Sequence, residues 1–197
     1  MYAQWKSLEN AGGIVHTIGD IAYSDGSVSA DYDSIKTPIG IVIEVVDGVA
    51  TKIVSLTEIN NTKWSNENVV TNATYETNGM ANLTAIQSID DWETKYPAFK
   101  WCDDYADASG NSEWYLPAKY ELNQLYIVRD TVNIAIEKIR IEGGDVANIS
   151  LETYWSSSQH HNGSYAWDQR FSSGKLGSNG SGDPKDDTCS VRAVRAF

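Results

Sequence analysis

Two histidines and two cysteines are the side chains best suited to metal binding or nucleophilic chemistry. His160 and His161 are adjacent in the sequence. Because adjacent side chains in a strand point to opposite faces, this pair is poorly arranged to hold one metal ion. Cys102 and Cys189 lie far apart in the chain, and one such pair matches neither a disulfide framework nor a zinc pattern. The sequence leaves one disulfide bridge and two free thiols equally open.

The surroundings of these residues do not predict an enzyme. Cys102 falls on the apolar face of a predicted helix, where a thiol acts as a buried hydrophobic group. No Ser-His-Asp arrangement stands out. Asp183, Asp186 and Asp187 could bind calcium weakly, although solvated carboxylates are the simpler interpretation. We therefore predict a non-enzymatic protein with no cofactor, no catalytic residue and no dedicated metal site.

Composition and charge narrow the classes of partner. The 197 residues carry a net charge of −12, and 41% of them are hydrophobic and 21% charged, which is typical of a globular domain. An acidic surface repels phosphates, so we predict no nucleic-acid partner. No apolar run approaches the roughly 18 residues that a membrane span requires. Residues 1–6 show no signal-peptide pattern.

Strand patterns occupy the first half of the chain. Residues 19–23, 39–46 and 49–56 are rich in β-branched and apolar residues. The Asp47-Gly48 pair between the last two runs predicts a hairpin, because both turn residues must tolerate a positive φ. Residues 57–82 are polar and Asn-rich, which predicts a loop or irregular structure.

Helix patterns occupy the middle. Pro97 can open a helix because its missing N–H needs no partner there, and Pro117 opens a second helix in the same way. A third helix is predicted at 131–142, and Gly143-Gly144 ends it. Strand patterns then return, and strands followed by helices and again by strands predict an α+β architecture in one domain over residues 1–197.

Residues 156–190 have an unusual composition, because 20 of the 35 are Ser, Gly, Asp or Asn. Such a composition alone favours disorder. However, strand patterns at 154–157, 166–172 and 191–197 punctuate and flank the segment. We therefore predict an ordered segment that presents polar side chains to solvent.

The strand predicted at 166–172 alternates between two kinds of side chain, and alternate residues of a strand point to opposite faces. One face is predicted to pack on the domain and carries Trp167, Gln169 and Phe171. The other is predicted to face solvent and carries Asp168, Arg170 and Ser172.

Codon chemistry adds a second signal in this segment. Most of its residues belong to the set reached from an asparagine codon by changing its two adenines. Lys, Glu, Gln, Met and Trp lie outside that set when the third-position pyrimidine is kept. The types outside the set occur in 156–190 only at Gln159, Trp167, Gln169, Lys175 and Lys185. The predicted ligand-contact positions are His160, His161, Asn162, Ser164, Tyr165, Asp168, Arg170, Ser172, Ser173, Leu176, Ser178, Asn179, Asp183, Asp186, Asp187, Thr188 and Ser190.

Several motifs resemble the variable proteins of diversity-generating retroelements. The C-terminal motifs are 154–159, Ala166-Trp167 with Gln169 and Phe171, and 191–197; upstream motifs around Trp101 and 114–117 resemble the same domains. The resemblance covers roughly residues 90–197 and, more weakly, the strands from 14 to 56. It implies a C-type-lectin-like fold, related to formylglycine-generating enzymes, with antiparallel strands, two to three helices and long irregular C-terminal loops. The scaffold residues that it implies are Trp101, Trp114, Leu116, Pro117, Trp155, Trp167 and Phe171.

The resemblance also implies a function. In that family a template-directed reverse transcriptase mutates adenines near the end of the gene, and the varied side chains bind ligands. The expected role is ligand recognition through 156–190, for attachment to a cell-surface protein or glycan, at a cell surface or on a phage particle. The calcium-dependent sugar-binding triplets of lectins are absent. The alternative is a structural or adhesion domain of a bacterial surface protein whose surface does not vary.

Overall fold

Two sheets and four helices make up the described part of the chain. The computed structural model describes residues 15–105, 110, 113–177 and 182–197. In chain order the elements are β1 (Ile21–Tyr23), β2 (Val28–Ser29), β3 (Pro38–Val46), β4 (Val49–Val54), β5 (Ile59–Lys63), α1 (Gly79–Gln87), α2 (Trp92–Lys95), α3 (Pro97–Asp104), α4 (Lys119–Ile141), β6 (Thr153–Gln159), β7 (Tyr165–Arg170), β8 (Lys175–Leu176), β9 (Asp183–Pro184), β10 (Thr188–Val191) and β11 (Val194–Ala196). The predicted α+β class is confirmed.

The first sheet has five antiparallel strands in the order β11-β4-β3-β1-β2. Its β3–β4 hairpin turns at Asp47 and Gly48, whose φ angles are 51° and 78°. The predicted hairpin is therefore confirmed, since the turn needs two residues that tolerate positive φ.

The second sheet has the order β5-β10-β6-β7-β8, and β9 also pairs with β7. Strands β10 and β6 run parallel, whereas the other pairs are antiparallel. The chain crosses from this sheet to the first between β10 and β11. The fully buried Arg192 lies at that crossing.

The helices differ from the sequence prediction in two respects: α1 and α2 were not predicted, and the helices expected after Pro117 are continuous. Helix α3 begins at Pro97 as predicted. The two helices predicted after Pro117 form one helix, α4, of 23 residues. No Gly or Pro interrupts this stretch, and Val128 and Val132 continue its buried face across the expected break.

The prediction of irregular structure at 57–82 was wrong in part. Strand β5 and the start of α1 lie within this range. Asn78 caps α1 by accepting from the Ala81 N–H. Asn82 is buried, and its side chain donates to the Tyr75 carbonyl and the Ser157 hydroxyl. Asparagines that signal loops in isolation here cap and cross-link ordered elements.

The aromatic scaffold is mostly in the core. Trp114, Trp155 and Phe171 have no exposed surface. Leu116 and Pro117 are also buried, whereas Trp101 and Trp167 are half-buried. Large rings bury much apolar area, so they hold the two sheets and α4 together. Within the described residues, no helix has both the length and the apolar character of a membrane span.

Candidate ligand-contact surface

The segment 156–190 is tied to the rest of the fold by the residue types that stand outside the adenine-derived set. Gln159 is buried, and its Oε1 accepts from the Thr71 N–H at 2.6 Å and from Lys185 Nζ at 2.7 Å. Lys185 Nζ also donates to the Val69 carbonyl at 2.6 Å. These bonds join the end of β6, the loop at 69–71 and the turn before β10.

Lys185 is the most deeply buried cation of this segment, with 1% of its surface exposed. Its ammonium lies 4.6 Å from the centre of the Trp64 ring. Burial disfavours the charged form and lowers the pKa of Lys185 to about 8. A side chain held so closely fixes the backbone around it and is not available to a ligand.

Gln169 and Trp167 pack against helix α4. Gln169 is fully buried, and its Nε2 donates to Asn123 Oδ1 at 2.9 Å and to the Gly174 carbonyl at 3.1 Å. The ammonium of Lys119 lies 3.7 Å from the centre of the Trp167 ring, which is a cation–π contact. Of the five residues in 156–190 that lie outside the adenine-derived set, only Lys175 is exposed.

The predicted solvent-facing positions fall into several classes. Exposed positions are His161, Asn162, Arg170, Ser172, Ser173, Asp186, Asp187 and Thr188. Half-buried positions are Ser164, Tyr165, Leu176 and Asp183. Buried positions are His160, Asp168 and Ser190. Ser178 and Asn179 lie outside the described residues.

Asp168 was predicted to face solvent, but only 1% of its surface is exposed, so this prediction was wrong. Its carboxylate contributes to raising the pKa of Cys189, after burial of the thiol, so the two side chains lie near each other. Asp168 and Gln169 are thus covered on opposite faces of β7. Alternation identifies residues that share a face, but it does not say whether that face is covered.

His160 and Ser190 are also buried, contrary to the prediction. The His160 ring packs 4.9 Å from Trp167 and 3.7 Å from His161, between centroids. Burial, followed by the nearby charges of His161 and Lys119, lowers the pKa of His160. The neutral imidazole fits its observed role, since His160 Nδ1 accepts from the Asn162 N–H at 3.1 Å.

The predicted contacts at the ends of β7 separate into two groups rather than forming one patch. The first group, here the tip surface, consists of His161, Asn162, Ser164, Tyr165 and Asp183. Tyr165 pairs with Pro184 across β7 and β9, which brings Asp183 to this end of the hairpin.

The second group, Arg170, Ser172, Ser173 and Leu176, lies at the other end of β7. Arg170 pairs with Thr153 on one side and with Lys175 on the other. Strand β7 is six residues long, from Tyr165 to Arg170, so its two ends are about 16 Å apart. A single small ligand therefore cannot contact both groups.

A polar cleft of about 560 Å³ lies beside this second group, and we call it the β10 cleft. Two of its lining residues, Thr188 and Ser190, are predicted contacts. The lining residues at the start of β5 and before β6 were not among the predicted contacts. The local signal for the β5 residues was the run of Asn and Thr, inside a region interpreted as irregular. The lining residues are Glu58, Asn60, Asn61, Ser150, Glu152, Thr153, Thr188, Cys189 and Ser190.

Metal binding and thiol chemistry find no support in the part of the chain that is described. No group of three or more His, Cys, Asp or Glu residues there could hold a metal ion, so Asp183, Asp186 and Asp187 do not form one. Cys102 and Cys189 are free and buried. Burial raises the pKa of both thiols, which disfavours the reactive thiolate.

Residues 54–195 match the family described as the Lcl C-terminal domain. The chain belongs to this family. The match carries no evidence for the retroelement or formylglycine-generating-enzyme relationship, so that part of the resemblance stays a prediction. No curated protein matches the chain at a significant level.

The fold resembles that of a solved structure. It is a fimbrial protein from Bacteroides ovatus ATCC 8483, with a TM-score of 0.67 and 20% sequence identity. The match covers 92% of this chain and 49% of the fimbrial protein, so this chain spans about half the length of that relative. At this identity the likeness shows the fold alone.

Proposed function

We propose that this Lcl C-terminal domain is a non-enzymatic recognition domain of the adhesion type. The observation that carries the proposal is the arrangement of the segment 156–190. Gln159, Gln169 and Lys185 point inward and are hydrogen-bonded to the framework. Eight of the predicted contact positions are exposed around them. A fixed backbone therefore carries outward side chains that can contact a partner without holding the fold together.

A rigid support favours binding, because less conformational freedom is lost when the ligand docks. The tip surface offers Tyr165 and the polar side chains of His161 and Asn162, which resemble the adaptable contacts of antibody paratopes. At the other end Arg170 can form charge-assisted hydrogen bonds. This chemistry suits a protein or glycan on a cell surface.

The comparisons support an adhesion role and a surface location. The structural relative is named as a fimbrial protein, and fimbriae are surface fibres. We extend that location to this chain as part of the proposal, with a phage particle as the other place where a recognition domain would meet a cell. We further propose that adenine mutagenesis diversifies the exposed positions of the segment 156–190.

A fixed contact surface is the second candidate, and the burial of predicted variable positions favours it. His160, Asp168 and Ser190 belong to the adenine-derived set but have 3%, 1% and 4% of their surface exposed. Substitutions at buried polar positions are destabilising, so these three positions cannot vary freely. Sequencing the gene in sister isolates decides between the candidates. Changes confined to adenine-derived codons at exposed positions favour diversification, and an invariant segment favours a fixed surface.

Binding itself is tested with beads that carry the chain, presented to a panel of bacterial cells and to a glycan array. We expect Tyr165→Ala or Arg170→Ala to reduce attachment while Tm stays within about 2 °C of the unmodified protein. Arg140→Ala is the matched control for Arg170, because Arg140 is an exposed arginine in the last turn of α4, outside the segment 156–190. Full attachment by both variants, or equal loss with Arg140→Ala, contradicts recognition through this segment.

A further inference from the structure

The β10 cleft is shaped by an irregularity in β5. Between the pairs Cys189↔Thr62 and Val191↔Ile59, β5 contains one more residue than β10. Asn61 lies in this bulge with a φ of 56°, and such left-handed conformations of non-glycine residues cluster at binding and catalytic sites. Bulges re-aim side chains beside functional sites, and this one places two asparagines on the cleft wall.

The neighbouring asparagine is held in position by a direct contact. Ser190 Oγ donates to Asn60 Oδ1 at 2.7 Å. Because that amide oxygen is engaged, the Asn60 NH₂ group is oriented as a donor. The wall therefore carries an oriented amide from β5 and a hydroxyl from β10.

Glu58 is a fixed acceptor in the same cleft. Its side chain is only 7% exposed, and its Oε2 accepts from the Tyr154 hydroxyl at 2.6 Å and from Arg192 Nη1 at 3.2 Å. The guanidinium is itself held, since it donates to the carbonyls of Ser55 and Ala147, each at 2.9 Å. The carboxylate is thus held in place, and Arg192 neutralises its charge.

The chemistry of the lining selects among ligand classes. The nine described lining residues carry amides, hydroxyls, carboxylates and one thiol, and none is cationic. An anionic ligand would be repelled by Glu152 and by the net charge of −12. An apolar ligand would leave these polar groups without partners. A metal ion is not favoured, because the described residues include no cluster of three or more side chains that could ligate it, and the Glu58 carboxylate is already paired with Arg192.

A neutral ligand rich in hydroxyl groups fits this lining, since each hydroxyl can donate to a carboxylate and accept from an amide. The volume of about 560 Å³ lies within the roughly 300–1,000 Å³ of small-ligand sites. The geometry points to the β10 cleft as a binding site for a neutral saccharide unit. This inference rests on the proposed recognition function and names the chemistry of one of its ligands.

The affinity for one sugar unit is expected to be low. No aromatic ring is among the lining residues to cover the apolar face of a sugar, so we expect a Kd on the order of 1 mM. Several copies of the domain on one surface would raise the apparent affinity for a polymeric glycan.

The test uses the whole chain, isotope-labelled for NMR, with the methyl glycosides of glucose, galactose, mannose and N-acetylglucosamine as probes. Saturable shifts are expected at Asn60, Asn61 and Thr188 with at least one glycoside. Glucuronate is the anionic comparison, and we expect it to bind at least about tenfold more weakly, because its carboxylate meets Glu152.

Asn61→Gly removes the side-chain amide but keeps the left-handed backbone, and Thr188→Val removes a hydroxyl while keeping the shape. Each is expected to weaken binding about tenfold. Asn68→Gly is the matched control, because Asn68 is an exposed asparagine outside both the cleft lining and the predicted contact positions, and it should bind as the unmodified chain does. Absence of saturable shifts with every glycoside, equal binding by Asn61→Gly, or equal binding of glucuronate overturns the inference. Because attachment through Tyr165 is measured separately, failure of the cleft and failure of the recognition function give different results.

Discussion

Replacing Gly182 by alanine tests the close contact that seats β9 against β7. Gly182 has a φ of +73°, and a Cβ built there would lie 2.1 Å from the Ala166 carbonyl oxygen. Gly26 is the matched control, because its φ is +81° but a Cβ there meets nothing within 4 Å. Both substitutions place alanine in the left-handed region, and only Gly182→Ala also forces two backbone segments apart.

The destabilisation expected for Gly182→Ala has two contributions, one from the backbone conformation and one from overpacking. The left-handed conformation costs about 1–2 kcal/mol for alanine, and overpacking adds about 1–3 kcal/mol. We therefore expect Gly182→Ala to lower the free energy of unfolding by about 2–5 kcal/mol, and Gly26→Ala by about 1–2 kcal/mol. For a chain of this length, each kcal/mol shifts Tm by about 2–4 °C.

The assay is urea unfolding of both variants beside the unmodified chain, followed by tryptophan fluorescence and circular dichroism. Amide NMR shifts at Tyr165 and Asp183 report whether the tip surface moves. Equal destabilisation by Gly182→Ala and Gly26→Ala would refute the reasoning, since it would mean that β9 does not approach β7 this closely. In that case the contact with β7 would not restrict position 182 to glycine.

Three further predictions concern the core, the buried lysine and the thiols. Ile136→Ala should cost about 2–5 kcal/mol because Ile136 is fully buried, whereas Ile134→Ala on the same helix, 65% exposed, should stay within about 0.5 kcal/mol in urea unfolding. Burial lowers the pKa of Lys185 from 10.5 to about 8, so between these values the unfolded chain binds more protons and stability rises with pH. The rise is at most about 3 kcal/mol, because the hydrogen bonds of Lys185 favour its charged form, and Lys185→Met should flatten it in urea titrations at pH 7 and pH 10. Cys102 and Cys189 should resist iodoacetamide in the native chain and react in urea, as measured by mass spectrometry; rapid native labelling would contradict their burial.

The local features of the fold were predictable because they depend on neighbouring residues. The Asp47-Gly48 turn needs only residues that tolerate positive φ, and Pro97 opens α3 through its own ring geometry. The break expected inside α4 was wrong, because its supposed signal was a change in pattern and not a helix-breaking residue. Buried Asn82 shows the converse, since a residue typical of loops forms hydrogen bonds that only the folded chain supplies.

The candidate site was predictable only in outline. Alternation and codon chemistry identified the segment and exposed residues such as Arg170, but they assigned Asp168 to solvent. The run of Asn and Thr near β5 was a weak local signal, but the contribution of Glu58 and Asn61 to the β10 cleft could not be predicted, since nothing in the sequence says that β5 lies beside β10.

By itself, the sequence determined the α+β class, the main hairpin, the start of α3 and the position of the polar C-terminal segment. These follow from turn chemistry, side-chain periodicity and composition, which act over a few residues. Only the tertiary structure decided which polar residues are buried, and it alone joined residues near 60, 150 and 190 into one cleft. The physical reason is that burial and cleft formation depend on strand pairing between distant segments, and no local pattern encodes that pairing.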